Sequence, residues 1–146
     1  MISGKHIHIL LIEDDDIDAE AVMRGFQSQR IANPFTWVRD GVEALAVLRR
    51  HEGYPVVPWP LMILLDVNMP RMNGIEFLQT IRKDPELRRN VVFMLTTSDR
   101  DEDMMAAYEE QIAGYLLKSR AGRDFVELVS MLDAYWRIVE FPTEAV

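Results

Sequence analysis

The sequence predicts an α/β fold: a five-stranded parallel sheet with helices on both faces. Three observations carry that expectation. Short apolar runs alternate five times with stretches of helical periodicity, the pattern of strand–helix units joined by right-handed crossovers. The central runs are apolar without interruption, as strands buried on both faces are. Four of the runs stop abruptly on polar or charged residues, at the sheet end where such folds gather their ligands.

Ile7–Ile12 is the first strand and ends in Glu13-Asp14-Asp15-Asp16. A helix starts there, because Asp15 or Asp16 can cap it and acids suit its positive end. Ala19, Val22, Met23 and Phe26 form its apolar stripe, and Asn33-Pro34 breaks the chain. Phe35–Val38 is a short strand, placed at the sheet edge. Asp40-Gly41-Val42-Glu43 has capping-box spacing, and Leu45 and Leu48 carry that helix inward until Gly53. Tyr54–Pro60, with three prolines and a tryptophan, reads as a surface loop. Leu61–Leu65 is the central strand and ends on Asp66. Met69-Pro70 and Asn73-Gly74 mark the turn into a helix using Gly74, Phe77, Leu78 and Ile81, which Asp84-Pro85 ends. Val91–Leu95 is the fourth strand, followed by Thr96-Thr97-Ser98. Asp99–Asp103 opens a helix that should turn Met104, Ala107 and Tyr108 inward. Gly114–Leu117 is the fifth strand and ends on Lys118. The last helix places Phe125, Leu128, Val129, Leu132, Trp136 and Val139 on one face.

The totals narrow the function. With 146 residues, 49% of them hydrophobic and 27% charged, the chain is expected to be one globular domain. A net charge of −8 disfavours non-specific nucleic-acid binding. The absence of cysteine excludes disulfides, thiolate chemistry and cysteine-type zinc sites. No apolar run approaches the ~20 residues of a membrane span, and the N-terminus lacks an apolar signal region. A cytoplasmic protein without membrane or nucleic-acid partners is therefore expected. No GxxxxGK[ST] occurs, which disfavours a P-loop nucleotide binder. His6, His8 and His51 lack ligand spacing and read as strand-flanking or surface residues. Arg82-Lys83 and Arg88-Arg89 read as solvated.

The chemistry lies in the four polar strand ends: Glu13/Asp14, Asp66, Thr96 and Lys118. Two carboxylates ~4 Å apart repel by roughly 4 kcal/mol at an effective dielectric near 20. A hard divalent cation removes that cost, and Mg2+ prefers a few carboxylates, retained waters and phosphate oxygens. Glu13, Asp14 and Asp66 suit it, with the Asn68 backbone carbonyl as a further ligand. An aspartate can accept phosphate covalently, and phosphoryl transfer asks mainly for positioning and charge neutralisation. Asp66 is the expected acceptor, Lys118 and Mg2+ the neutralising charges, and Thr96 a hydrogen-bond donor to the new phosphoryl oxygens.

This constellation resembles the receiver domain of two-component response regulators. The matching residues are Glu13-Asp14 after LLI, Asp66 in LLDVNMP, Thr96 in MLTTS and Lys118 in GYLLK, with intervals of 30 and 22 residues between the last three. The resemblance covers about residues 6–132. It implies a flavodoxin-like sheet in the order 2-1-3-4-5 flanked by five helices. It also implies Mg2+-dependent transfer from the phosphohistidine of a sensor histidine kinase to Asp66. Such a protein undergoes slow autodephosphorylation and is not a turnover enzyme. Tyr115 falls where the family keeps an aromatic that turns inward when the threonine moves. Asn68 and Ser98 are placed to influence water attack on the phosphoryl group. DGVEAL, the Tyr54–Pro60 loop, LTTS and the aromatic tail resemble the small single-domain regulators paired with phytochrome-type kinases.

Two positions depart from the family pattern. Ser119 follows the lysine where proline is usual, and Asn73 replaces aspartate before Gly74. The receiver domain is expected over residues 1–132, leaving no room for an output domain, so that signalling is by protein contact. Residues 133–146 form the helix end and tail. Tyr135, Trp136, Ile138, Val139 and Phe141 exceed what a last helix needs, so a homodimer built on Tyr135, Trp136, Val139 and Phe141 is expected. Two other functions fit the sequence less well. A Mg2+-dependent aspartyl-phosphate phosphatase needs a second acid at the position of Asn68 and a cap over its substrate. A phosphorylation-independent scaffold of the same fold usually loses the acceptor or the acids, all of which are present here.

Overall fold

Apolar runs become strands where neighbouring runs can cover both faces, and five do so in the computed structural model, which describes residues 7–143. The strands are β1 (His8–Ile12), β2 (Phe35–Val38), β3 (Leu61–Leu65), β4 (Val91–Thr96) and β5 (Gly114–Leu117). All neighbouring pairs are parallel, in the order β2-β1-β3-β4-β5. The five helices are α1 (Asp16–Ser28), α2 (Gly41–Leu48), α3 (Gly74–Lys83), α4 (Asp101–Glu109) and α5 (Val126–Ile138). The expected sheet, strand order and helix count are thus all found.

Each face of the sheet has its own core. On one side Leu10, Ile12, Ile63, Leu65 and Met94 pack against α2 and α3 through Leu45, Phe77, Leu78 and Ile81. On the other, Ile9, Leu11, Met62, Leu64 and Phe93 meet α1 and α5 through Val22, Phe26, Val129, Leu132 and Trp136. This double coverage is why β1 and β3 are buried at every position, β3 being apolar throughout and β1 apolar after His8.

Three caps fix the helix starts that border the carboxyl end of the sheet. Asp15 accepts the Ile17 and Asp18 N–H groups at 2.9 and 3.1 Å. Asp40 accepts Glu43 N–H at 2.9 Å, while its two oxygens also hold the Arg71 guanidinium at 2.8 and 3.1 Å. Asn73 and Glu76 form a reciprocal capping box, so asparagine in this position serves as a cap. Gly74 follows because a Cβ there would run into the Asp66 carbonyl oxygen, and its N–H donates to Val67 O at 2.8 Å. The α3 helix therefore starts directly against the backbone of Asp66.

Some expectations need correction. The α4 helix buries only Ala107, while Met104 and Tyr108 are exposed, since an edge helix beside the last strand has little sheet to cover. The Tyr54–Pro60 loop is not wholly superficial, because Val57 enters the core and Trp59 packs against it. His8 lies inside β1, buried, with its Nε2 2.7 Å from Thr36 Oγ1. His51 is exposed, and His6 lies outside the described residues. Val139 follows the end of α5, and Phe125 precedes it in left-handed backbone. The chain after Lys118 makes a 3-10 turn over Lys118–Arg120 with a trans Lys118–Ser119 bond. Trp59–Pro60 is the cis peptide among the described residues.

Candidate functional site

The parallel register brings Ile12, Leu65, Thr96 and Leu117 to one end of the sheet, so the residues that follow them converge. Glu13, Asp14 and Asp66 each offer a carboxylate oxygen within 4.8 Å of the others. Glu13 is 2% exposed and Asp66 6%, whereas Asp14 is exposed at the mouth. The acidic segment is held from behind: Glu13 N–H donates to Val38 O at 3.0 Å, and the Trp37 indole N–H donates to Glu13 O at 2.8 Å.

Lys118 reaches into this group with a side chain only 8% exposed. Its Nζ lies 2.7 Å from Glu13 Oε1, 2.8 Å from Asp18 Oδ2 and 3.0 Å from Asp66 Oδ2. The other Asp66 oxygen accepts Asn68 N–H at 3.2 Å. Burial pushes the Glu13 carboxyl up to about 7; the hydrogen bond from Lys118 opposes the shift and the charge of Asp66 adds to it. For Lys118, burial works against the ammonium. Hydrogen bonds to Asp18 and Glu13 and the Asp66 charge outweigh it, and the lysine titrates above its usual range.

These groups border an open cleft of about 650 Å3, also lined by Asp15, Asp16, Arg39, Asn68 and Thr97. Thr96 is fully buried at the end of β4, one residue before the cleft-lining Thr97, and its hydroxyl oxygen accepts Ser98 N–H at 3.1 Å. The Tyr115 hydroxyl donates to Ser98 O at 2.9 Å, and the Ser98 hydroxyl donates to Asp103 at 2.6 Å. Tyr115 and Thr96 thus meet through one loop residue.

Sequence reasoning missed three members of this neighbourhood. Asp18 reads as an ordinary first-turn acid of a helix. Arg39 lies over the Trp37 ring at 4.6 Å and pairs with Asp16 at 2.5 Å. Trp37 reads as an edge-strand aromatic. Only Asp18 carried a usable signal: it stands three residues after the cap Asp15, one helical turn from the acidic segment.

The tail residues do not form the exposed patch expected of them. Trp136 is buried at 4% exposure and stacks on Phe26 at 6.1 Å, so it belongs to the core and is withdrawn from any surface. Tyr135 meets Phe93 edge-on at 4.9 Å, and Phe141 meets Tyr135 at 5.9 Å. The aromatic excess is spent largely within the chain. Ile138 remains 81% exposed. Among the described residues no helix is long and apolar enough to cross a membrane.

A doubly covered parallel sheet, with a buried carboxylate beside an acidic pair and under a lysine ammonium, is the arrangement that the receiver-domain resemblance implies. Comparison with known proteins agrees. Residues 9–130 match the response regulator receiver domain family. Response regulator Rcp1 of Synechocystis sp. is 37% identical over 128 residues, which cover 88% of this chain and 87% of Rcp1. The crystal structure of the Mn(2+)-bound form of Rcp1 matches with a TM-score of 0.82 at 36% identity, covering 94% of this chain and 99% of that one. The phosphorylated cyanobacterial phytochrome response regulator RcpA matches with a TM-score of 0.85 at 31% identity, covering 95% and 100%. The bacteriophytochrome response regulator RtBRR matches at 0.75 and 30% identity, covering 96% and 82%. The chain belongs to the response regulator receiver domain family and is a two-component response regulator, a signalling protein of the class that includes Rcp1 and RcpA.

Proposed function

We propose that this response regulator accepts a phosphoryl group on Asp66 from the phosphohistidine of a sensor histidine kinase, in a Mg2+-dependent reaction, and signals by protein contact. The observation that carries the reading is the single ammonium of Lys118 resting on both Asp66 and Glu13. A lysine so placed already occupies the position from which it can neutralise a phosphoryl group on Asp66.

The donor set fits a hard divalent cation: three convergent carboxylates, two of them buried, with Glu13 made reluctant to ionise by burial and the neighbouring acid. Glu13, Asp14 and Asp66 would hold Mg2+, with the Asn68 carbonyl as a further ligand. The ion would supply charge neutralisation on the transferring phosphoryl oxygens. Asp66 forms the new bond to phosphorus through a carboxylate oxygen, while the phosphorus–nitrogen bond of the donor breaks and its electron pair stays on the imidazole. Lys118 stabilises the charge on the phosphoryl group. Thr96 accepts Ser98 N–H through its oxygen and so keeps its own proton to donate to that group. Movement of Thr96 would disturb Ser98, to which Tyr115 is bonded, and so report the event to the β5 surface.

Two of the similar proteins are named as phytochrome response regulators, which supports a phytochrome-type kinase as donor. We assign residues 1–132 to the receiver domain and 133–146 to homodimerisation. Residues 144–146 lie outside those described. The exposed Ile138, flanked by the half-buried Val139 and Phe141, supports a dimer contact smaller than the one first expected.

Phosphotransfer from a panel of purified sensor kinases tests the reading. A phytochrome-type kinase should label this protein fastest in Mg2+, and should not label Asp66→Asn. Equilibrium sedimentation of the same samples should give twice the chain mass. Equal transfer from unrelated kinases contradicts the pairing, and a chain-mass particle contradicts the dimer.

A further inference from the structure

An ammonium has three N–H donors, and Lys118 directs them at three carboxylates. Two of those, on Glu13 and Asp66, belong to the trio whose oxygens converge on a cation position. The third, on Asp18, does not. A divalent ion held there would compete with the ammonium for the Glu13 and Asp66 oxygens and would repel it at close range. Lys118 sits on a flexible four-carbon stem, so the ion's arrival would by itself free the lysine to swing away. Asp18 is the one partner that the cation leaves to it.

Asp18 is built to hold its place. It stands in the first turn of α1, where its own N–H is bonded to the Asp15 cap at 3.1 Å. Its carboxylate is only 31% exposed and bonds Lys118 at 2.8 Å, across 100 residues of sequence. The lysine held there still reaches Asp66 at 3.0 Å, so this anchor steadies Lys118 over the acceptor rather than drawing it off. We infer that Asp18 is a positioning residue: it retains Lys118 beside Asp66 while the divalent ion occupies the acids, and so sets the rate of phosphoryl transfer without being a metal ligand. The inference rests on Asp66 being the acceptor.

The test uses acetyl phosphate and Mg2+ with the full chain, following labelling by intact-protein mass spectrometry. Metal binding is followed separately by tryptophan emission, since Trp37 is bonded to the Glu13 carbonyl. Asp18→Ala should lower the labelling rate at saturating Mg2+ about tenfold, as expected for losing one charge-assisted hydrogen bond. Its half-saturating Mg2+ concentration should move less than about twofold. Asp18→Asn, whose amide oxygen can still accept from the ammonium, should recover most of the rate. An unchanged rate in Asp18→Ala overturns the inference. So does a shift in Mg2+ affinity as large as the loss of rate, or identical behaviour of the Ala and Asn variants, which would mark Asp18 as a source of field alone. If the parent chain is not labelled at all, the acceptor assignment itself fails, a result distinct from any of these.

Discussion

Glu13 is the residue at which burial and chemistry pull hardest against each other. It is nearly inaccessible, lies beside another acid, and depends on Lys118 for compensation. Its carboxyl titrates near 7 in the folded, metal-free chain against 4.5 in the unfolded one, so folding takes up a proton between those values. The sign follows: this contribution to stability is complete below about pH 4.5 and is lost as pH rises through 7, a change on the order of 3 kcal/mol. Thermal unfolding in chelator should therefore show the midpoint falling between pH 5 and 8, and Glu13→Gln should flatten that slope. A midpoint that rises across this range, or a variant with the parent's slope, contradicts the assignment. At this scale the site was largely legible. Glu13, Asp66, Thr96 and Lys118 each interrupt an apolar run, and interruption is what periodicity reveals. Arg39 was not legible, because it interrupts nothing, and Asp18 offered only its spacing from the cap Asp15, its partner Lys118 lying 100 residues away.

At the level of elements, the caps were readable from local spacing, whereas long-range ties were not. Arg82, in the last turn of α3, reads as a solvated base favoured at a helix end. Instead its guanidinium donates to Glu110 O at 2.6 Å, Arg88 O and Asn90 O at 2.8 Å each, and Gln111 O at 3.2 Å. Four carbonyls from the turn after α4 and the loop before β4 are gathered by one planar fork, which a lysine ammonium cannot span. Arg82→Ala leaves them to water or to nothing and should cost about 2–4 kcal/mol in urea unfolding. Arg82→Lys should regain little. A loss below about 1 kcal/mol in the alanine variant would show that solvent replaces the fork. The same locality explains the error at α4: helical spacing marks Met104 and Tyr108 as one stripe with Ala107, but how much sheet lies beneath a helix depends on its place at the edge.

For the whole molecule, alternation of apolar runs with helical stretches was enough to foresee a parallel sheet with its site at the carboxyl ends of the strands. Strand order came from the family resemblance, since periodicity does not say which run pairs with which. The fate of the tail was illegible for a related reason. An aromatic count cannot tell whether Trp136 finds Phe26 in its own chain or a second copy, and the structure pairs it within the chain. What unites the molecule is that segments more than a hundred residues apart, from Glu13 to Lys118, bring their charged ends together at Asp66, the proposed acceptor. Intact-protein mass spectrometry after incubation with acetyl phosphate and Mg2+ addresses that claim directly. One phosphoryl group should appear on the parent chain and none on Asp66→Asn. Equal labelling of the two would mean that Asp66 is not the acceptor around which the site is arranged.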